Sequence, residues 1–198
     1  MANSKRKCGG CGEYFRPEQE FPGPVAWCSP DCGLIVAKNR VPAIKERKAK
    51  EARAEHRAAK ERVKTRSQWL KEAQTAFNAY IRARDEGLPC ISCGQYVSDA
   101  DLLTGSRMDA GHYRSTGSSP ELRFEESNCH AQCVKCNRYL SGVAVDYRIG
   151  LIQRIGVERV EWLEGPQEPK HYTIDDLRGV RDLYRAKLKA LKKERAAA

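Results

Sequence analysis

Long apolar runs are missing from this chain. No stretch of its 198 residues approaches the length needed to cross a membrane. Aromatic residues make up only 8% against 31% charged, so one large hydrophobic core is not expected. Small metal-held modules joined by helices fit better, in one or two domains. A secretory leader is not expected either, because Met1–Lys7 is polar and no apolar run follows it. Acidic residues are in deficit: 26 Asp and Glu face 36 Lys and Arg, a net charge of +10 with a pI near 9.2. That balance marks a nucleic-acid binder, although it also suits an anionic membrane surface. A protein-interaction adaptor has no need of it.

The cysteines are plentiful, and they are paired. Eight of the nine fall into four pairs, 8/11, 28/32, 90/93 and 133/136. In a reducing cytoplasm such spacings read as metal sites and not disulfides. Cys8, Cys11, Cys28 and Cys32 are expected to hold one structural zinc, and Cys90, Cys93, Cys133 and Cys136 a second. Cys129 is left over and reads as a packed free thiol. In the first set, the glycines after Cys8 let the backbone turn its amides toward a thiolate. Ser29-Pro30-Asp31 reads as a helix start. The set resembles a treble-clef or ribbon-type knuckle, which binds DNA, binds protein or caps a domain.

From Ala37 to Arg66 the chain holds twelve Lys or Arg and four Asp or Glu, with almost no large apolar residue. Alanine and long charged side chains favour helix, and a helix polar all round has no core to join. It is either a spacer or an arm that contacts phosphates. Ser67 reads as an N-cap. Trp69, Leu70, Ala73, Phe77, Tyr80 and Ile81 then recur at helical spacing up to Gly87-Leu88-Pro89. Further on, Ser98–Thr104 reads as a loop and Arg107–His112 as a short strand. Cys133–Leu140 reads as the opening of a helix. Val145–Leu163 is amphipathic but interrupted by Gly150 and Gly156, which suggests two short helices. Thr173-Ile-Asp-Asp176 has the form of a capping box before a last amphipathic helix. The expected fold class is α+β, mainly helical. The expected division is an N-terminal four-cysteine zinc knuckle (1–36), a basic helical arm (37–66), a zinc-held module (67–143) and a C-terminal helical region (144–198).

Closing the second zinc site draws Asp109, His112, Asn128, His130 and Asn137 into a small volume. Such a set suits metal-assisted hydrolysis: His112 as general base, Asp109 and Asn137 as oxygen ligands of Mg²⁺ or Mn²⁺. Other roles stand beside these. Asp109 could orient His112, and Asn137 could cap a helix. Asn128 reads as a pin for the loop, through backbone hydrogen bonds. His130 could be a metal ligand, a neighbour of one, or structural.

The stretch Cys90–Asn137 resembles the HNH, or ββα-metal, nucleases. His112 stands at the first His, Asn128 at the middle Asn, and Asn137 directly after the last Cys. Asn in that last place resembles the endonuclease VII type of junction resolvase. That family sets Asp and His side by side, whereas Asp109 and His112 are three apart. More widely, the knuckle, the basic arm, Asp109–Arg114, Leu122–Phe124, Gln132–Asn137 and the C-terminal helix resemble the phage lambda NinG (Rap) recombination family. The resemblance implies a phage-encoded, structure-specific endonuclease acting on Holliday junctions and displacement loops in the host bacterial cytoplasm. It also implies a divalent-ion requirement, a homodimer and phage recombination proteins as partners. The alternative is a zinc-containing DNA-binding accessory protein without catalysis, which has no need of Asp109, His112 and Asn137 together.

Overall fold

A computed structural model describes residues 5–16, 26–96 and 108–197. The loop expected over Ser98–Thr104, Pro17 and Arg107 lie outside these residues. The fold is mainly helical α+β with two small antiparallel sheets. The chain divides into two compact units, Met1–Lys64 and Thr65–Ala198. Among the described residues, no helix is long and apolar enough to cross a membrane.

In the first unit, β1 (Arg6–Lys7) pairs with β2 (Tyr14–Phe15). Helix α1 then runs unbroken from Pro30 to Arg62. Ser29 caps it by accepting from Cys32 N–H at 3.3 Å, with Pro30 in the first turn, as the Ser-Pro-Asp run predicts. The knuckle helix and the basic arm, expected as separate segments, are therefore one helix that passes through Pro42. Only Cys32 and Val36 of α1 are buried, so the rest meets solvent on every face.

The second unit opens with α2 (Arg66–Arg84). Its cap is Thr65 and not Ser67. The Thr65 hydroxyl accepts from Gln68 N–H, and the Gln68 side chain accepts from Thr65 N–H at 2.8 Å. That reciprocal box satisfies two end donors, which Ser67 could not do from inside the first turn. β3 (Met108–His112) and β4 (Cys129–Cys133) form a hairpin in which Gly111 faces His130 and His112 faces Cys129. After β4 the helix expected over Cys133–Leu140 is a single π turn, Lys135–Tyr139. It ends because Ser141 (φ 53°), Gly142 (φ 88°) and Val143 (φ 48°) are all left-handed.

α3 (Ala144–Ile155) and α4 (Val157–Glu164) follow, parted at Gly156 with φ 83°. Gly150 does not break α3. It is small because α3 lies against the knuckle there: a Cβ would overlap the Ile91 carbonyl oxygen. α5 (Ile174–Ala197) starts at the expected capping box, in which the Asp176 side chain accepts from Thr173 N–H and the Thr173 hydroxyl from Asp176 N–H. Two cores flank the hairpin. Trp69, Phe77, Ile81, Phe124, Tyr172 and Tyr184 join α2 to α5. Ile91, Leu122, Tyr147, Leu151 and Val160 join the knuckle to α3 and α4.

Candidate functional site

Both expected cysteine sets assemble. In the first unit the Sγ atoms of Cys8, Cys11, Cys28 and Cys32 lie within 4.8 Å of one another. Gly10 and Cys28 N–H each donate to Cys8 Sγ at 3.4 Å. A Cβ on Gly10 would collide with Cys32, so glycine is required for that close approach. The N–H of Cys11 leads the groups that bring the Cys8 thiol down to about 6. Cys28 is pushed up to about 12, first by its contact with Cys11. Four adjacent thiols cannot all ionise without a cation among them, and four sulfurs at this spacing could hold zinc.

In the second unit Cys90, Cys93, Cys133 and Cys136 also lie within 4.8 Å of one another and could hold a second zinc. Burial pushes the Cys90 thiol up, but the N–H groups of Cys93, Cys133 and Ser92 outweigh it and the thiol sits below its usual range. Gln132 ties the two halves of this site together, donating to Ser92 Oγ at 2.8 Å and to Gly142 C=O at 2.7 Å. Its side chain crosses Gly111, where no Cβ would fit.

The hairpin divides the other candidates between its two faces. Side chains alternate along a strand, so Ala110 and His112 share a face with Cys129 and Ala131, while Asp109 and Gly111 share the opposite face with His130 and Gln132. Asp109 and His112 are therefore not brought together. On the first face, His112 packs its ring 5.9 Å from Phe77. Its Nε2 lies 3.0 Å from the Arg123 carbonyl oxygen, which can only accept, so Nε2 carries the proton and Nδ1 the lone pair. Burial is the main cause that lowers the His112 pKa, opposed by the Arg123 carbonyl and aided by the Arg123 charge. The ring is neutral at pH 7. Cys129 Sγ is 3.6 Å from Nδ1, fully buried and apart from both zinc sets, and burial holds its thiol well above the usual range.

Asn128 is fully buried and clamps the chain that leaves β3. Its Oδ1 accepts from Arg114 N–H at 2.8 Å, and its Nδ2 donates to the carbonyls of Arg114 and Leu122. On the opposite face, Asn137 Nδ2 donates to Asp109 Oδ2 at 3.0 Å. Arg138 grips the same carboxylate with both arms of its fork, at 2.7 and 2.9 Å. His130 is buried within hydrogen-bond reach of Arg84 and 3.5 Å from Asp85. Burial lowers its pKa, and Arg84 adds to this against the pull of Asp85. Among the described residues its ring meets Arg84, Asp85 and the Ser127 carbonyl.

A family model described as "Bacteriophage Lambda NinG protein" matches residues 1–194. The chain belongs to the NinG family. It is 40% identical to "Protein ninG" of Escherichia phage lambda over 208 residues, covering 98% of this chain and 97% of that one. It is 39% identical to "Protein ninG" of Salmonella phage P22 over 212 residues, covering both chains in full. It is also 39% identical to "Protein ninG" of Escherichia phage 933W over 206 residues, covering 98% of each chain. No solved structure matches.

For this NinG-family chain, three groups in the site escape a reading of the sequence alone. Arg138 follows Asn137 directly, and a cation next to an expected metal ligand is the one signal that could have found it. Arg84 and Asp85 end α2 and grip the free edge of β4: Arg84 donates to the Cys129 carbonyl at 2.8 Å and Asp85 accepts from Ala131 N–H at 2.8 Å. Tyr147 is buried between the strands, its hydroxyl accepting from His130 N–H and donating to the Gly111 carbonyl at 2.8 Å. Its hydroxyl thus links Gly111 of β3 to His130 of β4.

Proposed function

We propose that this NinG-family protein is a structure-specific endonuclease that cuts branched DNA, Holliday junctions and displacement loops, during phage recombination in the host cytoplasm. On this reading it works as a homodimer alongside other phage recombination proteins, and residues 67–143 form an HNH-like nuclease core. The observation that carries the proposal is the state of His112. Its tautomer is set by the Arg123 carbonyl, its ring is held neutral by burial, and it stands at the end of a hairpin that a four-cysteine cluster closes. A neutral imidazole with a fixed lone pair is what a general base requires. Nδ1 takes a proton from water as the oxygen attacks phosphorus, and the bond from phosphorus to the leaving sugar oxygen breaks. The Cys129 thiol beside it stays protonated, so its S–H donates to Nδ1 in the free protein and has to give way before Nδ1 accepts a proton from water. Asn128 keeps the loop after His112 in place.

Asp109 and Asn137 carry oxygens of the hard kind that suits Mg²⁺ or Mn²⁺, although in this structure Asn137 offers the carboxylate its amide nitrogen. Such an ion, when bound, supplies neutralisation of the charge that develops on the phosphate. One observation favours the second reading, a DNA-binding accessory protein without catalysis: Asp109 lies on the opposite hairpin face from His112, with Arg138 across its carboxylate. Cleavage of a synthetic four-way junction and of a matched linear duplex, with and without Mg²⁺ or Mn²⁺, separates the two. The wild type is expected to cut the junction only with metal. His112→Ala should keep its zinc and its junction binding but cut about a hundredfold more slowly or worse. If His112→Ala cuts at the wild-type rate, His112 is not the base. If the wild type binds junctions and never cuts, the accessory reading replaces this one.

A further inference from the structure

We propose that Tyr139 and Leu140 form an apolar wedge that enters the branch point of DNA and sets a preference for branched over linear duplex. The inference rests on branched DNA as the substrate, and not on the divalent ion or on His112. Tyr139 is 78% exposed and Leu140 51%, two large apolar side chains in succession where the π turn ends. Single exposed apolar residues are ordinary, but a consecutive pair on a one-turn π helix is not, since such turns collect at functional sites. Lys135 and Arg138 are exposed on the same turn. An aromatic ring among cations suits nucleic acid: the ring stacks on a base while the positive charge draws in the phosphates. The net charge of +10 favours DNA over an apolar protein surface as the occupant.

The turn that carries the wedge is braced on both sides. Leu140 N–H donates to the Lys135 carbonyl at 3.0 Å, and Gly142 N–H to the carbonyl of Cys136, a member of the four-cysteine cluster, at 2.9 Å. Gln132 of β4 donates to the Gly142 carbonyl at 2.7 Å, and the Arg138 fork holds Asp109 of β3. Val143 keeps a left-handed backbone at φ 48°, which a β-branched residue adopts only when its surroundings impose it. A wedge on so fixed a base loses little freedom when it inserts. Between the stacked pairs of a linear duplex, insertion has to break stacking first. At a branch point the strands already part and the flanking pairs separate more readily, so the same insertion costs less. The cost of deforming DNA thus becomes discrimination by shape, with no base sequence read. Tyr139 and Leu140 are specificity-determining residues and take no part in bond breaking.

The test reads binding and not cleavage, with the full-length, zinc-loaded protein and no Mg²⁺ or Mn²⁺. A four-way junction carries 2-aminopurine in place of an adenine beside the branch, and a linear duplex carries it in the same sequence. Wild-type protein should change the fluorescence of the branch probe about twofold or more and leave the duplex probe unaltered. Tyr139→Ala should bind the junction about tenfold more weakly, bind the duplex as the wild type does, and lose the fluorescence change. Leu140→Ala should act in the same direction. Tyr139→Phe, which keeps the ring, should retain the wild-type preference. Both side chains are exposed, so all three variants should keep their zinc and their Tm. The wedge is refuted if Tyr139→Ala keeps the wild-type preference for the junction. It is refuted equally if that variant weakens junction and duplex binding alike, or if the wild type leaves the branch probe unchanged. Failure of the nuclease reading looks different: the junction is preferred and its probe responds, yet nothing is cut when Mg²⁺ or Mn²⁺ is added. A wild type that binds junction and duplex equally would remove branched DNA as the substrate, and the wedge with it.

Discussion

Gly150→Ala sets two physical effects against each other, and the structure decides which one wins. Position 150 lies inside α3, where Ala is intrinsically better than Gly by about 1 kcal/mol. On propensity alone the substitution should stabilise. The new methyl group, however, would fall on the carbonyl oxygen of Ile91, with the carbonyl carbon 3.1 Å away. That neighbour is backbone, so no rotamer change relieves the overlap. Ile91 N–H is itself tied to the Ala131 carbonyl at 3.0 Å, and Ile91 follows directly on Cys90. Overpacking a well-filled interior costs about 1–3 kcal/mol, and a backbone-to-backbone clash belongs at or above the top of that range. Setting about 3 kcal/mol against about 1 leaves a net loss of about 2 kcal/mol. For a unit of this size that corresponds to a fall in Tm of roughly 6 °C. Because α3 would be pushed away from the Cys90 knuckle, zinc should also be released to a chelator faster than from the wild type. Differential scanning calorimetry and a chelator-release assay measure both effects. A Tm equal to or above the wild type would show that α3 does not press on the knuckle.

Three further outcomes are expected. Elemental analysis of the purified protein should find about two zinc per chain, one for each four-cysteine cluster; folded protein with none would remove both sites. Replacing several Lys and Arg of α1 with Gln should flatten the salt dependence of DNA binding by about one slope unit for each phosphate no longer neutralised, whereas an unchanged slope would make α1 a spacer. For His112 and His130, burial lowers the pKa in the folded state, so each contributes stability above the unfolded value of about 6.5 that is lost as the pH falls through the folded value. Nuclear magnetic resonance titration should place both midpoints below about 6.5, and thermal stability should decline on acidification from that pH; midpoints above 6.5 would contradict the burial of these rings.

What is legible in the sequence is mostly local. The cysteine sets follow from spacing, because a knuckle is made by a few consecutive residues whose amides turn toward sulfur. The caps at Ser29 and Thr173 follow from side chains bonding to backbone three residues on. The Thr65 cap is hidden because Ser67 is as good a capping residue in isolation, and only the reciprocal bond with Gln68 separates them. Continuity of α1 is hidden for a similar reason, since nothing in composition says that the knuckle helix and the basic arm share one axis. The separation of Asp109 from His112 is different, because the sequence does contain it: an odd spacing within one strand puts two residues on opposite faces. Gly150 reads as a helix breaker because its reason lies 59 positions away in the chain, in the Ile91 carbonyl. Arg138, Tyr147 and Arg84 act through bonds that only the closed hairpin creates.

The unbroken course of α1 has a consequence for measurement. At 1.5 Å per residue, its 33 residues make a rod of about 50 Å. A cord of that many residues would reach anywhere within its length, whereas a rod reaches one distance. Laid against a duplex, with one step every 3.4 Å, it is a ruler of about fifteen base pairs. Its footprint should accordingly be read in helical turns of DNA. Protection by the arm should end abruptly at about one and a half turns. Deleting seven residues, two turns of the helix, should shorten that protection by about three base pairs, where a flexible tether would leave its edge blurred and unmoved.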